Sequence, residues 1–154
     1  MSSFPTGVVV FTTLDGEDRP WGLTCSSLAS VTLTPPTLLV CVKSSSETLN
    51  AACSSGLFGV NLLHARGQRA AEVFAGPIAD RFAEVPWTPF GRYRLPYLAE
   101  DAFAFATCRV AGTMVAGDHT IVFGEVAEVT HTADVPLLYG MRQFSSWFTA
   151  DKAA

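Results

Sequence analysis

The sequence predicts a mainly β protein, an antiparallel barrel with two or so short helices. Six or more segments have the length and composition of strands, whereas only two short segments show helical spacing. Most neighbouring strand candidates are separated by hairpin-type turns, which join antiparallel strands, whereas parallel strands need long crossovers. The 154 residues contain no repeat, linker or low-complexity stretch, so we expect one domain over residues 1–154.

The first predicted elements are a hairpin and a buried strand. Residues 8–14 form a β-rich run that ends at Asp15-Gly16, a turn signal, and residues 21–28 follow as its partner. Residues 38–42 are a short apolar run preceded by Pro35-Pro36, which predicts a buried strand.

A hydroxyl-rich turn leads from this strand into the first predicted helix. Ser44 and Glu47 have the spacing of a capping box with Ser44 as the N-cap, and Gly56 marks the C-terminal end. A helix start presents free backbone N–H groups and a partial positive charge, to which Lys43 adds a full one, so it suits an anion. From spacing alone, serines that only cap an ordinary helix remain the alternative.

Residues 57–63 are predicted to form a strand, and residues 68–75 a helix that ends at Gly76-Pro77. The segment 80–98 is rich in proline and aromatic residues without clear periodicity, which predicts a loop packed over the domain.

Two long strands complete the prediction, over residues 103–115 and 120–130. They are separated by Ala116-Gly117-Asp118-His119, which has the composition of a hairpin tip. A lone histidine at such a tip is, from sequence alone, more often a solvated turn residue than a ligand-binding one.

Composition and charge limit the class of function. Hydrophobic residues make up 49% of the chain and charged residues 16%, a small charged fraction for a monomer, so we expect a homodimer. The net charge of −4 and the scattered ten Lys and Arg argue against a nucleic-acid partner. No run reaches transmembrane length and no signal peptide is apparent, so we expect a cytoplasmic protein without a membrane partner.

The cysteines and histidines give no sign of a metal site. The four cysteines show no C-x-x-C spacing and lie mostly in apolar segments, which predicts buried, reduced thiols. The three histidines stand far apart without an H-E-x-x-H pattern, so no metal is expected. The chain also contains neither a P-loop motif nor a G-x-G-x-x-G motif, so any nucleotide would bind to a fold other than the P-loop and Rossmann folds.

Several segments together resemble a known family. They are FPTGVVVFTT, GLTCSSLASVTLTPPTLLVCV, SSSETLNAACSSGLFGVNLL, FAGPIADRF, AGDHTIVFGEV and PLLYG, and they run in order from Phe4 to Tyr139. The chain thus resembles the flavin reductases that supply reduced FAD or FMN to two-component monooxygenases. The resemblance implies a split β-barrel of Greek-key type, and as ligands a flavin and NADH or NADPH.

The resemblance also implies the flavin-binding residues. Thr24, Ser26 and Ser27 would contact the flavin ring edge and ribityl chain, largely through the backbone, and Ser44, Ser46 and Thr48 would hold the phosphate. A second block would flank the cofactor, and further residues fall within the matched blocks. These are Phe74, Ala75, Arg81 and Phe82 in the second block, with Cys25, Ser30 and Tyr139 from the others. For Phe74, packing in the core is an equal alternative, and Cys25 is expected to be a small packing residue.

By the same resemblance, Gly117, Asp118 and His119 would form the dinucleotide side of the site, with the His119 imidazole against the nicotinamide. His119 is therefore the candidate catalytic residue. Hydride transfer needs orientation and no protein nucleophile, so no catalytic triad is expected.

Other readings stay open from the sequence. A non-enzymatic flavin store or electron carrier would use the same barrel without a dinucleotide site. A split barrel that binds another ligand is disfavoured, because pyridoxal phosphate would require a basic cluster for its phosphate and haem an axial ligand, and the sequence marks neither. FAD and FMN share the isoalloxazine, ribityl and first phosphate, so the motifs do not separate them. No basic residue is clearly committed to a 2′-phosphate, which favours NADH over NADPH.

Overall fold

The structure, a computed structural model, describes residues 3–147. Strands dominate the described part, with three α-helices and a 3₁₀ turn over Ala65–Gly67. The strands are β1 (Thr6–Gly7), β2 (Val9–Leu14), β3 (Pro20–Cys25), β4 (Ala29–Leu33), β5 (Pro36–Lys43), β6 (Leu57–Leu63), β7 (Thr88–Phe90), β8 (Leu95–Tyr97), β9 (Ala102–Ala116), β10 (His119–His131), β11 (Leu137–Gly140) and β12 (Gln143–Ser146). The helices are α1 (Glu47–Ser55), α2 (Gln68–Ala75) and α3 (Arg81–Glu84).

The main sheet has seven strands in the order β3-β2-β6-β9-β10-β5-β4, and every pairing in it is antiparallel. Its hydrogen-bonded ladder does not close into a ring. The segment that follows β3 instead meets β5, next to the edge strand β4, where the Ser27 hydroxyl donates to the Cys41 carbonyl at 2.9 Å and accepts from the Cys41 amide at 3.0 Å. The prediction of a mainly antiparallel β fold is confirmed.

Two apolar clusters hold helices against the sheet. One contains Val10 and Leu63 and buries the Ala70, Val73 and Phe74 face of α2. The other contains Phe11 and Phe58, whose rings stack 4.8 Å apart, and buries Leu49 and Ala52 of α1. Both helices also contact β3, along which the candidate site lies.

Most predicted elements are confirmed. The first hairpin forms between β2 and β3, the strand after Gly56 spans Leu57–Leu63, and the second helix spans Gln68–Ala75. Gly56 ends α1 in the left-handed conformation, with φ +71°, and its N–H donates to the Ala52 carbonyl. Glycine adopts this conformation without a steric penalty, which is why it marked the end of the helix in the sequence.

The prediction of a loop over residues 80–98 is wrong. This segment contains α3 and the β7–β8 hairpin. At the start of α3 the Ala83 N–H donates to Asp80 Oδ1 at 3.1 Å. Phe90 and Tyr97 of the hairpin pack on Phe105 of β9, with ring centroids 5.4 and 5.0 Å apart. Packing on a distant strand stabilises these three-residue strands, and such contacts leave no local periodicity in the sequence.

Three other details correct the sequence predictions. The tip between the long strands is only Gly117-Asp118, because β9 extends to Ala116 and β10 begins at His119. β4 and the β11–β12 hairpin were not predicted. All four cysteines are free, but of these thiols only Cys108 is buried, whereas Cys25 and Cys41 are half-buried and Cys53 is exposed on α1. Among residues 3–147 no helix has the length and apolarity needed to cross a bilayer.

Candidate functional site

A cavity of about 470 Å³ opens between the end of β3 and the C-terminus of α2. Its lining includes Thr24, Cys25, Ser26, Ala75 and Tyr139 of the predicted site. Ser26 and Tyr139 also line an adjoining cavity of about 530 Å³, together with Ser27. The two cavities therefore form one groove along the segment that leaves β3, large enough for a ring system the size of an isoalloxazine.

The side-chain hydroxyls of this segment are partly engaged by the fold. Thr24 Oγ1 donates to the Ala71 carbonyl at 2.7 Å, and Ser27 Oγ is bonded to Cys41. Ser26 is exposed. A ligand in the groove would thus meet backbone groups and the Ser26 hydroxyl. Burial raises the pKa of the Cys25 thiol to about 11, so it is not poised as a nucleophile.

The start of α1 differs from the predicted capping box. Ser46, and not Ser44, is the N-cap residue, with extended backbone angles of −79° and 127°, and no side chain caps the helix. The Ser44 hydroxyl instead lies 2.9 Å from that of Thr120 on β10. No side-chain cap therefore uses the Ser46 hydroxyl or the first N–H groups of α1. An anion site at this helix start would require these groups to be uncapped in this way. Thr48 is buried.

The turn that carries His119 adjoins this helix start. The Ser44 N–H donates to the Asp118 carbonyl at 2.9 Å, and His119 pairs with Lys43 across the β10–β5 ladder. His119 Nδ1 lies 2.8 Å from Asp118 Oδ1. The hydrogen bond from His119, with its charge, lowers the pKa of the Asp118 carboxyl. This carboxylate orients the imidazole and leaves its Nε2 available to a ligand.

The second flavin block lies against the other end of β3. Phe74 is buried in the core, with 1% of its surface exposed, and packs edge-to-face on Phe82 at 4.9 Å between ring centroids. The Arg81 guanidinium donates to the carbonyls of Gly22 and Gly76 at 3.1 and 2.9 Å. Phe74 therefore packs in the core, the alternative that the sequence left open.

The structure does not bring every predicted residue together. Ser30 lies apart within one chain, on the exposed strand β4 and paired with Leu38. Conversely, Val8, Glu72 and Phe144 line the first cavity but were not predicted. Glu72 follows Gln68 by four residues on an exposed helix face, a spacing common on any surface helix, and Phe144 belongs to the unpredicted β11–β12 hairpin. Only the fold shows that these residues meet.

The chain matches the family described as flavin reductase like domain over residues 1–147. It is 58% identical to a flavin reductase (NADPH) of Lentzea aerocolonigenes, over 96% of this chain and 86% of that protein. It is 43% identical to a flavin reductase (NADH) of Kitasatospora aureofaciens, over 96% and 78%. Reductase subunits of flavin-dependent monooxygenases also match over most of the chain.

A solved structure gives the same result for the fold. The NADH:FAD oxidoreductase SgcE6 of Streptomyces globisporus C-1027, in complex with NAD and FAD fragments, superposes with a TM-score of 0.89. It is 34% identical, and the match covers 98% of this chain and 90% of that one. The match to this family over nearly the whole chain, together with the named relatives, defines a flavin-dependent oxidoreductase. The chain belongs to the flavin reductase like family, and it is an NAD(P)H-dependent flavin reductase.

Proposed function

We propose that this protein binds FAD or FMN in the groove along residues 24–27, with the flavin phosphate at the start of α1 and the nicotinamide end of NADH or NADPH at His119. The observation that carries this proposal is the hydrogen bond from the Ser44 N–H to the Asp118 carbonyl, at 2.9 Å. It joins the segment expected to hold phosphate to the turn expected to hold the nicotinamide, although the two are far apart in sequence.

The chemistry of hydride transfer is supplied by the flavin and the nicotinamide when they are bound. The protein positions them. Backbone groups of residues 24–27 hold the ring edge, and Ser46 with the α1 N–H groups holds the phosphate. Asp118 accepts from His119 Nδ1 and so fixes the imidazole, whose Nε2 then contacts the nicotinamide end.

We propose that the reduced flavin leaves the protein and serves a flavin-dependent monooxygenase component. The matching reductase subunits of such monooxygenases support this role. The groove is open at the surface, which suits a dissociable flavin. We place the protein in the cytoplasm, where nicotinamide dinucleotides are available and free thiols stay reduced.

We further propose a homodimer. Apolar side chains are exposed on one face of the sheet, where Leu33 is 86% and Val129 62% exposed. They line a shallow apolar cavity of about 320 Å³ with Leu38 and Val126. An exposed apolar face of this kind is typical of a subunit interface. Ser30 also lines this face, so its predicted contact with flavin would require the second subunit.

The test of the proposed function is anaerobic oxidation of NADH and of NADPH with FAD, FMN and riboflavin compared side by side. We expect a rate that saturates in flavin concentration, with the preferred donor and flavin read from kcat/KM. If flavin binds but NADH and NADPH oxidation stay at the rate without protein, the protein is a flavin store or carrier and the reductase proposal fails.

A further inference from the structure

Arg81 lines a third cavity, of about 520 Å³, together with Gly22, Trp21 and Phe82. Gly76, at the end of α2, lines the flavin groove. The Arg81 guanidinium donates to the carbonyls of both glycines, so it links a residue of this third cavity to a residue of the flavin groove.

The two bonds connect the two walls of the groove. The Gly22 carbonyl belongs to β3, two residues before Thr24, and the Gly76 carbonyl follows α2, one residue after Ala75. Nη1 and Nη2 of Arg81 thus each reach a different wall. A guanidinium fork with fixed geometry spans two acceptors at once, whereas a lysine ammonium on a flexible stem does not hold the same spacing.

The wall of the groove at β3 has little freedom to move on its other side. A methyl group added at Gly22 would lie 2.7 Å from Phe74 Cε1 and 3.1 Å from Phe82 Cζ. β3 therefore packs closely against Phe74 and Phe82, and Arg81 donates a hydrogen bond to the Gly22 carbonyl of the same strand. Within residues 3–147 Arg81 forms no ion pair, and its Nε is buried without a hydrogen-bond partner. Its hydrogen bonds go to the walls of the groove.

We propose that Arg81 is a positioning residue, which sets the distance between β3 and the end of α2 and so the width of the groove that receives the flavin ring. The inference rests on the proposed function, because it concerns the same groove. It differs from the role that the family resemblance implies, in which a cation at this position flanks the cofactor directly. The two roles predict different responses to the flavin phosphate and to lysine.

The experiment compares Arg81→Lys and Arg81→Gln with the wild type in direct titrations of riboflavin and FMN, without NADH or NADPH. Misplaced walls affect the ring, so both variants should weaken the binding of riboflavin and of FMN by the same factor, about 2- to 13-fold, the equivalent of one lost hydrogen bond. Arg69→Gln is the matched control, since Arg69 donates to the Glu84 carbonyl at 2.7 Å on the surface, away from the groove. It should leave both affinities unchanged.

Two results would overturn the inference. If Arg81→Lys binds as the wild type does, and Arg81→Gln loses affinity for FMN but not for riboflavin, Arg81 is a direct phosphate contact. If both folded variants bind both flavins normally, Arg81 supports the fold alone.

Gly22→Ala provides a second, independent test, which is decisive if the Arg81 variants do not fold. It keeps Arg81 but forces β3 away from Phe74, so it should also weaken riboflavin and FMN equally. Unchanged riboflavin affinity in this variant would overturn the inference. A wild-type protein that binds riboflavin but oxidises neither NADH nor NADPH would contradict the proposed function while leaving the Arg81 inference intact, whereas a wild-type protein that binds no flavin would overturn both.

Discussion

Ser46 is the residue that distinguishes between two interpretations of the α1 start, an ordinary helix cap and an anion site. The sequence placed the cap at Ser44, because the Ser44–Glu47 spacing fits a capping box. In the structure the helix begins two residues later, Ser46 has cap backbone angles, and its hydroxyl does not bond the helix. Ser44 is instead drawn to Thr120 by the β5–β10 pairing, a long-range contact that local spacing does not encode.

Ser46→Asp should weaken FMN binding by about tenfold or more, because two unit charges near a protein surface repel each other by about 1–4 kcal/mol at short range. Riboflavin has no phosphate and should bind almost as it does to the wild type. Ser54→Asp, which adds the same charge at the exposed far end of α1, is the control. Fluorescence titration measures both affinities. Equal losses for FMN and riboflavin would show that Ser46 does not face the phosphate.

His119→Ala should lower kcat/KM for NADH by roughly 2- to 13-fold and leave flavin affinity nearly unchanged. The reason is the loss of one hydrogen bond to the nicotinamide end, worth about 0.5–1.5 kcal/mol. Stopped-flow reduction of pre-bound flavin over a range of NADH concentrations is the measurement. A mutant that reduces flavin at the wild-type rate, with the same NADH dependence, would place the dinucleotide site elsewhere.

At the scale of elements, the strands with strong local signals were predictable and those stabilised by distant contacts were not. β6 and α2 carry their own apolar pattern, β6 begins directly after Gly56 and α2 ends directly before Gly76, and their predicted bounds are confirmed. β7, β8, β11 and β12 are three or four residues long and depend on neighbours from elsewhere in the chain. Since β12 brings Phe144 to the groove, this part of the candidate site was not predicted, for the same reason.

Asn61 on β6 shows how such a segment is fixed. Its Nδ2 donates to the carbonyls of Val10 and Pro96, at 3.2 and 3.3 Å, and its Oδ1 accepts from the Leu98 amide at 2.8 Å. Asn61 is fully buried, so its amide joins β2, β6 and the end of the 80–98 segment away from water.

Asn61→Ala should therefore lower the free energy of unfolding by about 2–4 kcal/mol, since it leaves buried backbone groups without partners and creates a small cavity. Chemical denaturation gives this value. Asn50→Ala, at an exposed position of α1, should change stability by no more than about 0.5 kcal/mol. If Asn61→Ala behaves like this control, the buried network does not hold the segment in place.

At the scale of the whole molecule, the small charged fraction of the sequence predicts a homodimer. The structure shows an exposed apolar face around Leu33 and Val129, where we propose that the second subunit packs. Ser30 lies on the same face.

Leu33→Asp should convert a dimer into a monomer, because it would bury a carboxylate in an apolar interface at a cost of several kcal/mol. Light scattering coupled to size-exclusion chromatography measures the mass. Ala99→Asp, at an exposed position outside the apolar face, should remain dimeric. A wild-type protein that is monomeric at all accessible concentrations would rule out the proposed homodimer.

The central claim is that this protein reduces flavin catalytically and releases it. The most direct measurement mixes a small amount of protein with a large excess of FMN or FAD and NADH or NADPH without oxygen, and then passes the solution through a membrane that retains the protein. We predict that all the flavin is reduced over many turnovers and that the reduced flavin is recovered in the filtrate. Reduction that stops at one flavin per protein, with the reduced flavin retained above the membrane, would contradict the claim.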